Sequence, residues 1–199
     1  MMDNRCKKCR RAGEKLFLKG EKCFTPKCPV ARKPYPPGLS PKSKFKKGAR
    51  RSSLSEYAAR LKESQKIKFG YGIRRRQFEN YLKETIKKTR GGDARTHLFE
   101  LLESRLDNIV FKLGLAGSRS IAKQIVTHGH IMVNGRRVNV PSYRIKVGDK
   151  ISIRPQSLEK GIFKDLGIKM KKYNPPPWAE FDKIKNEGVI KGVPSVVGA

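Results

Sequence analysis

Four cysteines sit in the first 28 residues, as Cys6-x-x-Cys9 and, after thirteen residues, Cys23 and Cys28. Each pair can form a knuckle that delivers two thiolates to one tetrahedral ion, which makes zinc the expected metal at Cys6, Cys9, Cys23 and Cys28. The basic neighbours Lys7, Lys8, Arg10, Arg11 and Lys22 should lower the thiol pKa values and offset the charge of four thiolates. Four thiolates also suit an iron–sulfur cluster, so the spacing does not decide between the two. Disulfides are disfavoured because the N-terminal residues carry no apolar secretory signal, and a thioredoxin-like role lacks the βαβ pattern that should surround its Cys-x-x-Cys. A site of this kind has no open catalytic position, and its expected task is to fold about thirty residues with few apolar side chains of their own.

A second constellation lies near residue 120. Arg119, Lys123 and Thr127 recur every four residues, opposite Ile121 and Ile125, with Ser118, Ser120, Gln124, His128 and His130 nearby. Such a donor-rich basic face can contact phosphates and riboses, although solvated basic faces are also common. His128 and His130 alone make a poor chelate and read equally well as loop hydrogen-bonding groups. Asp107 beside Arg105 reads as a local structural pair. No phosphate-binding glycine loop, nucleophile elbow or His/carboxylate metal cluster is present in the sequence, so an enzyme is not expected.

The charge balance says what these groups face. The 199 residues contain 47 Lys plus Arg against 17 Asp plus Glu, a formal net charge of +30. Self-repulsion of that size is expected to persist only where a polyanion neutralises it, and nucleic acid is the first candidate. An anionic membrane is the second, but no apolar run approaches the ~20 residues that span a bilayer, so the protein is expected to be soluble and cytosolic. Residues 1–53, 54–159 and 160–199 carry +14, +12 and +4. Density is highest where Pro34, Pro36, Pro37 and Pro41 mix with Lys42, Lys44, Lys46, Lys47, Arg50 and Arg51, which reads as an extended arm.

The elements that must hold these groups follow from periodicity. Ser53-Leu54-Ser55-Glu56 has capping-box spacing and opens a helix with Leu54, Tyr57, Ala58 and Leu61 on one side. A second run, Tyr71 to Lys88, has Phe78, Leu82 and Ile86, or Phe78, Tyr81 and Thr85, at helical intervals before Gly91-Gly92-Asp93 breaks it. Leu98 to Leu113 predicts one strong helix ending at Gly114, and Ser118 caps the next, the two forming a helical hairpin. From Ile131 the period becomes two, with Asn134-Gly135 as a hairpin turn, Val138 and Val140 beyond it, and Ile151 and Ile153 in a later strand. Past Ser157 only short helical stretches are legible, then Asn174-Pro175-Pro176-Pro177-Trp178.

Several of these residues, taken together, resemble one family closely. Leu101-Leu102-Glu103-Ser104-Arg105-Leu106-Asp107-Asn108, Lys112-Leu113-Gly114, Ser118-Arg119, His128-Gly129-His130-Ile131, Val133-Asn134-Gly135, Pro141-Ser142-Tyr143 and Gly148-Asp149 look very like the bacterial ribosomal small-subunit protein number four family. Tyr57, Leu61, Lys62, Gln65, Lys66, Tyr71, Gly72, Gln77-Phe78 and Tyr81 extend the likeness upstream, and the cysteine head resembles its four-cysteine zinc-binding class. The resemblance implies an α+β fold: a helical domain with an inserted α-L-type RNA-binding domain, made of a helical hairpin plus short antiparallel strands, and an N-terminal metal-bound extended arm. The expected divisions are 1–45 for the metal head and arm, 46–96 for the helical domain, 97–154 for the inserted module, and 155–199 for a segment returning towards the helical domain. Where members of that family end in an acidic, aromatic tail, this sequence reads Ser195-Val196-Val197-Gly198-Ala199.

The function so implied is that of a structural constituent of the small ribosomal subunit: it binds small-subunit rRNA, nucleates assembly of the subunit body, and influences translational accuracy with ribosomal proteins five and three as neighbours. Messenger RNA where it enters the subunit is a further expected contact, and the location is cytoplasmic and ribosome-bound. The expected rRNA contacts are Lys42, Lys44, Lys46, Lys47, Arg50, Arg51, Lys62, Lys66, Arg74, Arg75, Arg105, Ser118, Arg119, Ser120, Lys123, Gln124, His128 and His130. The alternatives are an RNA-modifying enzyme fragment, for which 1–96 and 155–199 leave no room for a catalytic domain, and a zinc-dependent nucleic-acid-binding regulator, for which Cys9 to Cys23 is too short for the usual finger helix.

Overall fold

The structure is a computed structural model that describes residues 4–38, 55–89, 93–159, 161–163, 167, 170, 173–182 and 186–193. Two compact units divide at Arg74 and Arg75. The first contains α1 (Asn4–Ala12), a 3-10 turn (Gly20–Cys23), α2 (Pro29–Arg32) and α3 (Glu56–Tyr71). Helix α3 is capped by Ser55, whose hydroxyl accepts from the Ala58 amide at 3.3 Å; Ser53 and Leu54, expected to open the helix, lie outside the described residues. The apolar stripe expected on α3 is not buried: Tyr57 and Leu61 are exposed and no residue of the helix is fully enclosed. Gly72, at φ +63°, ends it in the left-handed conformation.

The second unit starts with α4 (Arg75–Lys88), which buries Phe78, Tyr81 and Thr85 and leaves Ile86 exposed. The single helix expected from Leu98 to Leu113 is instead two, α5 (Ala94–Glu103) and α6 (Leu106–Lys112). The break has a backbone cause. The Leu106 and Asp107 amides donate to the Tyr143 and Pro141 carbonyls, and the Ile145 amide to Ser104, so the chain at 104–107 bonds to a neighbouring segment in place of its own helix. Gly114, at φ +80°, turns the chain into α7 (Arg119–Thr127), and α6 and α7 form the expected hairpin.

Strands β1 (Ile131–Val133) and β2 (Arg136–Arg137) are joined by Asn134-Gly135, both with positive φ as a type I′ turn requires. Val138 and Val140 fall outside β2. After β3 (Lys150–Ile153) and the short α8 (Pro155–Leu158), the segment expected to turn back towards the helical domain places β4 (Ala179–Asp182) and β5 (Glu187–Ile190) on the sheet. The five strands are antiparallel in the order β2-β1-β3-β5-β4, with Ile131 opposite Ile153 and Ile151 opposite Gly188. Alternation along each strand sends Ile131, Val133, Ile151, Ile153, Phe181 and Ile190 into one core with Leu106, Ile109, Leu113, Ala122 and Ile125 of the hairpin. One edge of the sheet exposes Arg136 and Arg137; the other exposes Glu180 and Asp182.

Candidate nucleic-acid interface

The helix α7 that carries the basic face begins at Ser118. Its hydroxyl accepts from the Ile121 amide at 3.4 Å, and its side chain is buried, so it positions the helix. Ala122, Ile125 and Val126 anchor the helix to the core, leaving Lys123 half-buried and Gln124, Thr127 and His128 exposed. Amphipathic spacing therefore does turn one donor-rich side outward.

Arg119 is held before any ligand arrives. Its Nε donates to Asn108 Oδ1 at 2.7 Å, its guanidinium stands 4.9 Å from the Phe111 ring, and Glu103 Oε1 lies 3.8 Å from Nη2. Asn108 is itself held by Glu103, to whose carbonyl and Oε2 it donates at 3.1 and 2.9 Å. A guanidinium braced in this way loses less rotamer freedom on binding than an unbraced one.

Two further expected contacts are buried. Arg105 is 1 % exposed, and its guanidinium makes a two-armed bond to the Asp107 carboxylate at 3.0 and 2.7 Å and donates to Tyr81 Oη at 2.9 Å. Burial opposes its charge, but Asp107 and Tyr81 outweigh that and lift its pKa above the ordinary value. His130 is also buried, with Nδ1 2.9 Å from Ser157 Oγ and its ring edge-on to Phe163. Exposed His128 packs edge-on against it, 5.9 Å between centroids.

The strand β2 supplies two cations that the sequence reading omitted. Arg136 and Arg137 are exposed, and Arg137 Nη2 donates to the His128 carbonyl at 3.3 Å. The Arg137 side chain crosses Gly129 so closely that a Cβ there would stand 2.1 Å from Nε. Glycine at 129 is called for by its φ of +70°, while the Arg137 side chain that lies over it could shift aside. The available signal was the pair of arginines directly after an Asn-Gly turn.

In the first unit Lys66 pairs with Glu63 at 2.8 Å and Glu14 at 3.2 Å, and these hydrogen bonds raise its pKa. Lys62 is half-buried, Arg74 is exposed, and exposed Arg75 at the start of the second unit bonds Glu79 at 2.7 Å. Lys42, Lys44, Lys46, Lys47, Arg50 and Arg51 lie outside the described residues.

The cysteines converge. Cys6 and Cys9 lie one turn apart on α1, not in a knuckle; Cys23 closes the 3-10 turn and Cys28 caps α2. All four line one cavity of about 400 Å³, and Cys9, Cys23 and Cys28 are buried. Among the described residues no three His, Cys, Asp or Glu side chains stand in ligating geometry. Burial pushes the Cys9 thiol pKa up, a bond to the Leu16 backbone lowers it, and the other three cysteines raise it again, the net direction being upward.

Comparison with known proteins matches residues 1–103 to the ribosomal protein S4/S9 N-terminal domain and residues 104–151 to the S4 domain. The small ribosomal subunit protein uS4 of Syntrophomonas wolfei is 42% identical over 192 residues, covering 96% of this chain and 88% of that protein. The proteins of the same name from Thermotoga maritima and Caldicellulosiruptor bescii are 41% identical over 191 residues and 45% identical over 190, each covering 96% of this chain and 87% of the relative.

Proposed function

The chain belongs to the ribosomal protein S4 family, and on that premise we propose that it is a structural constituent of the small ribosomal subunit that binds small-subunit rRNA, ribosome-bound in the cytoplasm. The observation that carries the reading is the basic side formed by half-buried Arg119 and Lys123 with exposed Gln124, His128, Arg136 and Arg137, the two elements linked where Arg137 bonds the His128 carbonyl, inside the region that matches the S4 domain. Phosphate contacts supply affinity there, and the rigid hairpin and strand edge supply the shape that selects a folded RNA junction. Nucleation of subunit-body assembly, an influence on decoding accuracy, and contact with ribosomal proteins five and three and with mRNA where it enters are the finer parts of the proposal. Footprinting on small-subunit rRNA tests it: protection at moderate salt that unrelated duplexes do not compete away is expected, and equal affinity for those duplexes would refute it.

Zinc at Cys6, Cys9, Cys23 and Cys28 belongs to the same proposal. The support is a donor set of four thiols lining one cavity and an amide, that of Lys19, donating to Cys23 Sγ at 3.4 Å as amides do to coordinated sulfur. Zinc would cross-link α1, the 3-10 turn and α2, a unit with a small apolar core of its own. Cys9→Ser is expected to expose residues 4–38 to protease and weaken rRNA binding while the second unit keeps its melting temperature. Elemental analysis should find one zinc per chain; iron and sulfide would replace it by the cluster, and unchanged protease resistance after chelation would end the structural role.

A further inference from the structure

Phe17 and Phe24 stand against each other on the surface of the first unit, ring centroids 4.9 Å apart and planes tilted by 30°. Phe24 is 74% exposed and Phe17 45%, a large apolar area left in water on a short segment. The backbone works to keep it there. Phe17 has φ +49°, a conformation that a bulky residue adopts only under local constraint, and its carbonyl accepts from the Gly20 amide at 3.3 Å. Phe24 is held at the end of the 3-10 turn, its amide donating to the Glu21 carbonyl at 3.0 Å. Neither ring fills a core, so the strain has no packing return.

The surroundings indicate what the pair faces. Within residues 15–27, Lys15, Lys22 and Lys27 are exposed and Lys19 is half-buried, and Glu21 is the one carboxylate. An aromatic pair left in water on a segment rich in exposed lysines matches an unpaired nucleobase, which offers a π-face and neighbouring phosphates together. A peptide partner of matching charge would need acidic side chains around an apolar one, and nothing in a chain of net charge +30 favours that occupant over RNA.

We propose that Phe24, braced from behind by Phe17, is a stacking platform for one unpaired base of RNA, with the lysines at 19, 22 and 27 taking the adjoining phosphates. This rests on the rRNA-binding reading and adds a site and a ligand class to it. The platform accepts any base, because stacking needs only a π-face, and it places selection in whether the RNA offers an unstacked base there.

The test uses the full chain and transcribed small-subunit rRNA, with F24A, F24L and F24Y. Losing a base stack should weaken binding by about five- to a hundred-fold in F24A and F24L, with F24Y near wild type. The slope of log affinity against log salt should stay unchanged, since no phosphate contact is removed, and one base should lose its chemical protection. F24L keeps the apolar bulk, so it decides the matter should F24A loosen residues 4–38. Wild-type affinity and protections in F24L overturn the platform, as does an equal loss in F24Y. So does an F24L protein that binds rRNA normally but is washed from assembled subunits, which would mark the pair as a protein contact. Failure of the wild-type chain to bind the transcript at all would bring down the functional reading and the platform with it, whereas normal wild-type binding with an indifferent F24L removes the platform alone.

Discussion

Replacing Arg105 by methionine would leave the Asp107 carboxylate buried without its counter-charge, which costs about 3–5 kcal/mol, a large part of a domain's total stability. Urea unfolding of R105M should show that loss; R105K should recover little, because a single ammonium cannot reproduce two arms to Asp107 and a third to Tyr81. The double replacement R105M/D107L should recover most of it, since a well-packed apolar pair avoids the desolvation altogether. At Glu84 the prediction concerns pH. Arg144 grips its carboxylate with both arms, Lys88 adds a pair at 3.1 Å, and together they hold its pKa at about 2. A folded value below the unfolded one stabilises the fold above the unfolded pKa and withdraws that support as pH falls towards the folded one. E84Q should therefore be less stable than wild type at pH 7, by about 1 kcal/mol once solvent screening of the half-exposed pair is allowed for, and the two should converge between about pH 5 and pH 2 in thermal melts. A difference that grew on acidification would contradict this. Residue type announced which groups carry charge, and the pairing of Arg105 with Asp107 was legible because they are two apart. That Arg105 and His130 face inward was not, because their partners Tyr81 and Ser157 sit more than twenty positions away in the chain.

Among the elements, β5 depends on one missing side chain. A Cβ on Gly188 would meet Leu113 Cδ1 at 2.7 Å and Cδ2 at 3.1 Å, and Leu113, the residue that caps the end of α6, is wholly buried. Gly188→Val should cost about 1–3 kcal/mol and release β4 and β5 before the rest of the sheet, read as faster amide exchange at 179–190 with β1 and β3 still protected. Uniform loss of protection would show instead that the sheet is one cooperative piece. The hairpin α6–α7, the Asn134-Gly135 turn and β1 and β3 could be read from the chain, because each is local and strongly periodic. The division of α5 from α6 could not, since the cause is backbone bonding to residues 141–145, nearly forty positions away. Strands β4 and β5 were hidden for a similar reason: four residues each, behind a run of prolines, they show their alternation only once β3 gives them a partner.

For the molecule as a whole, the charge of +30 is spent unevenly, and salt dependence should reveal where. Exchanging Lys42, Lys44, Lys46, Lys47, Arg50 and Arg51 for glutamine removes six cations. If each neutralises a phosphate, the slope of log affinity against log salt should become shallower by up to about 4, while melting in the absence of RNA stays the same or rises as self-repulsion falls. An unchanged slope would mean that these residues do not touch the RNA. The nucleic-acid character of the partner was thus legible in composition and the basic side of α7 in its spacing, whereas the addition of Arg136 and Arg137 to that side shows only where Arg137 bonds the His128 carbonyl. The sheet itself ends in opposite signs, two guanidiniums on the β2 edge and two carboxylates on the β4 edge, separated by four strand spacings or ~19 Å. Lys191 pairs with Glu180 at 2.6 Å and offsets part of the acidic edge, so in the field of a polyphosphate the unequal ends would draw the arginine edge towards the phosphates ahead of the β4 edge, before any specific contact forms.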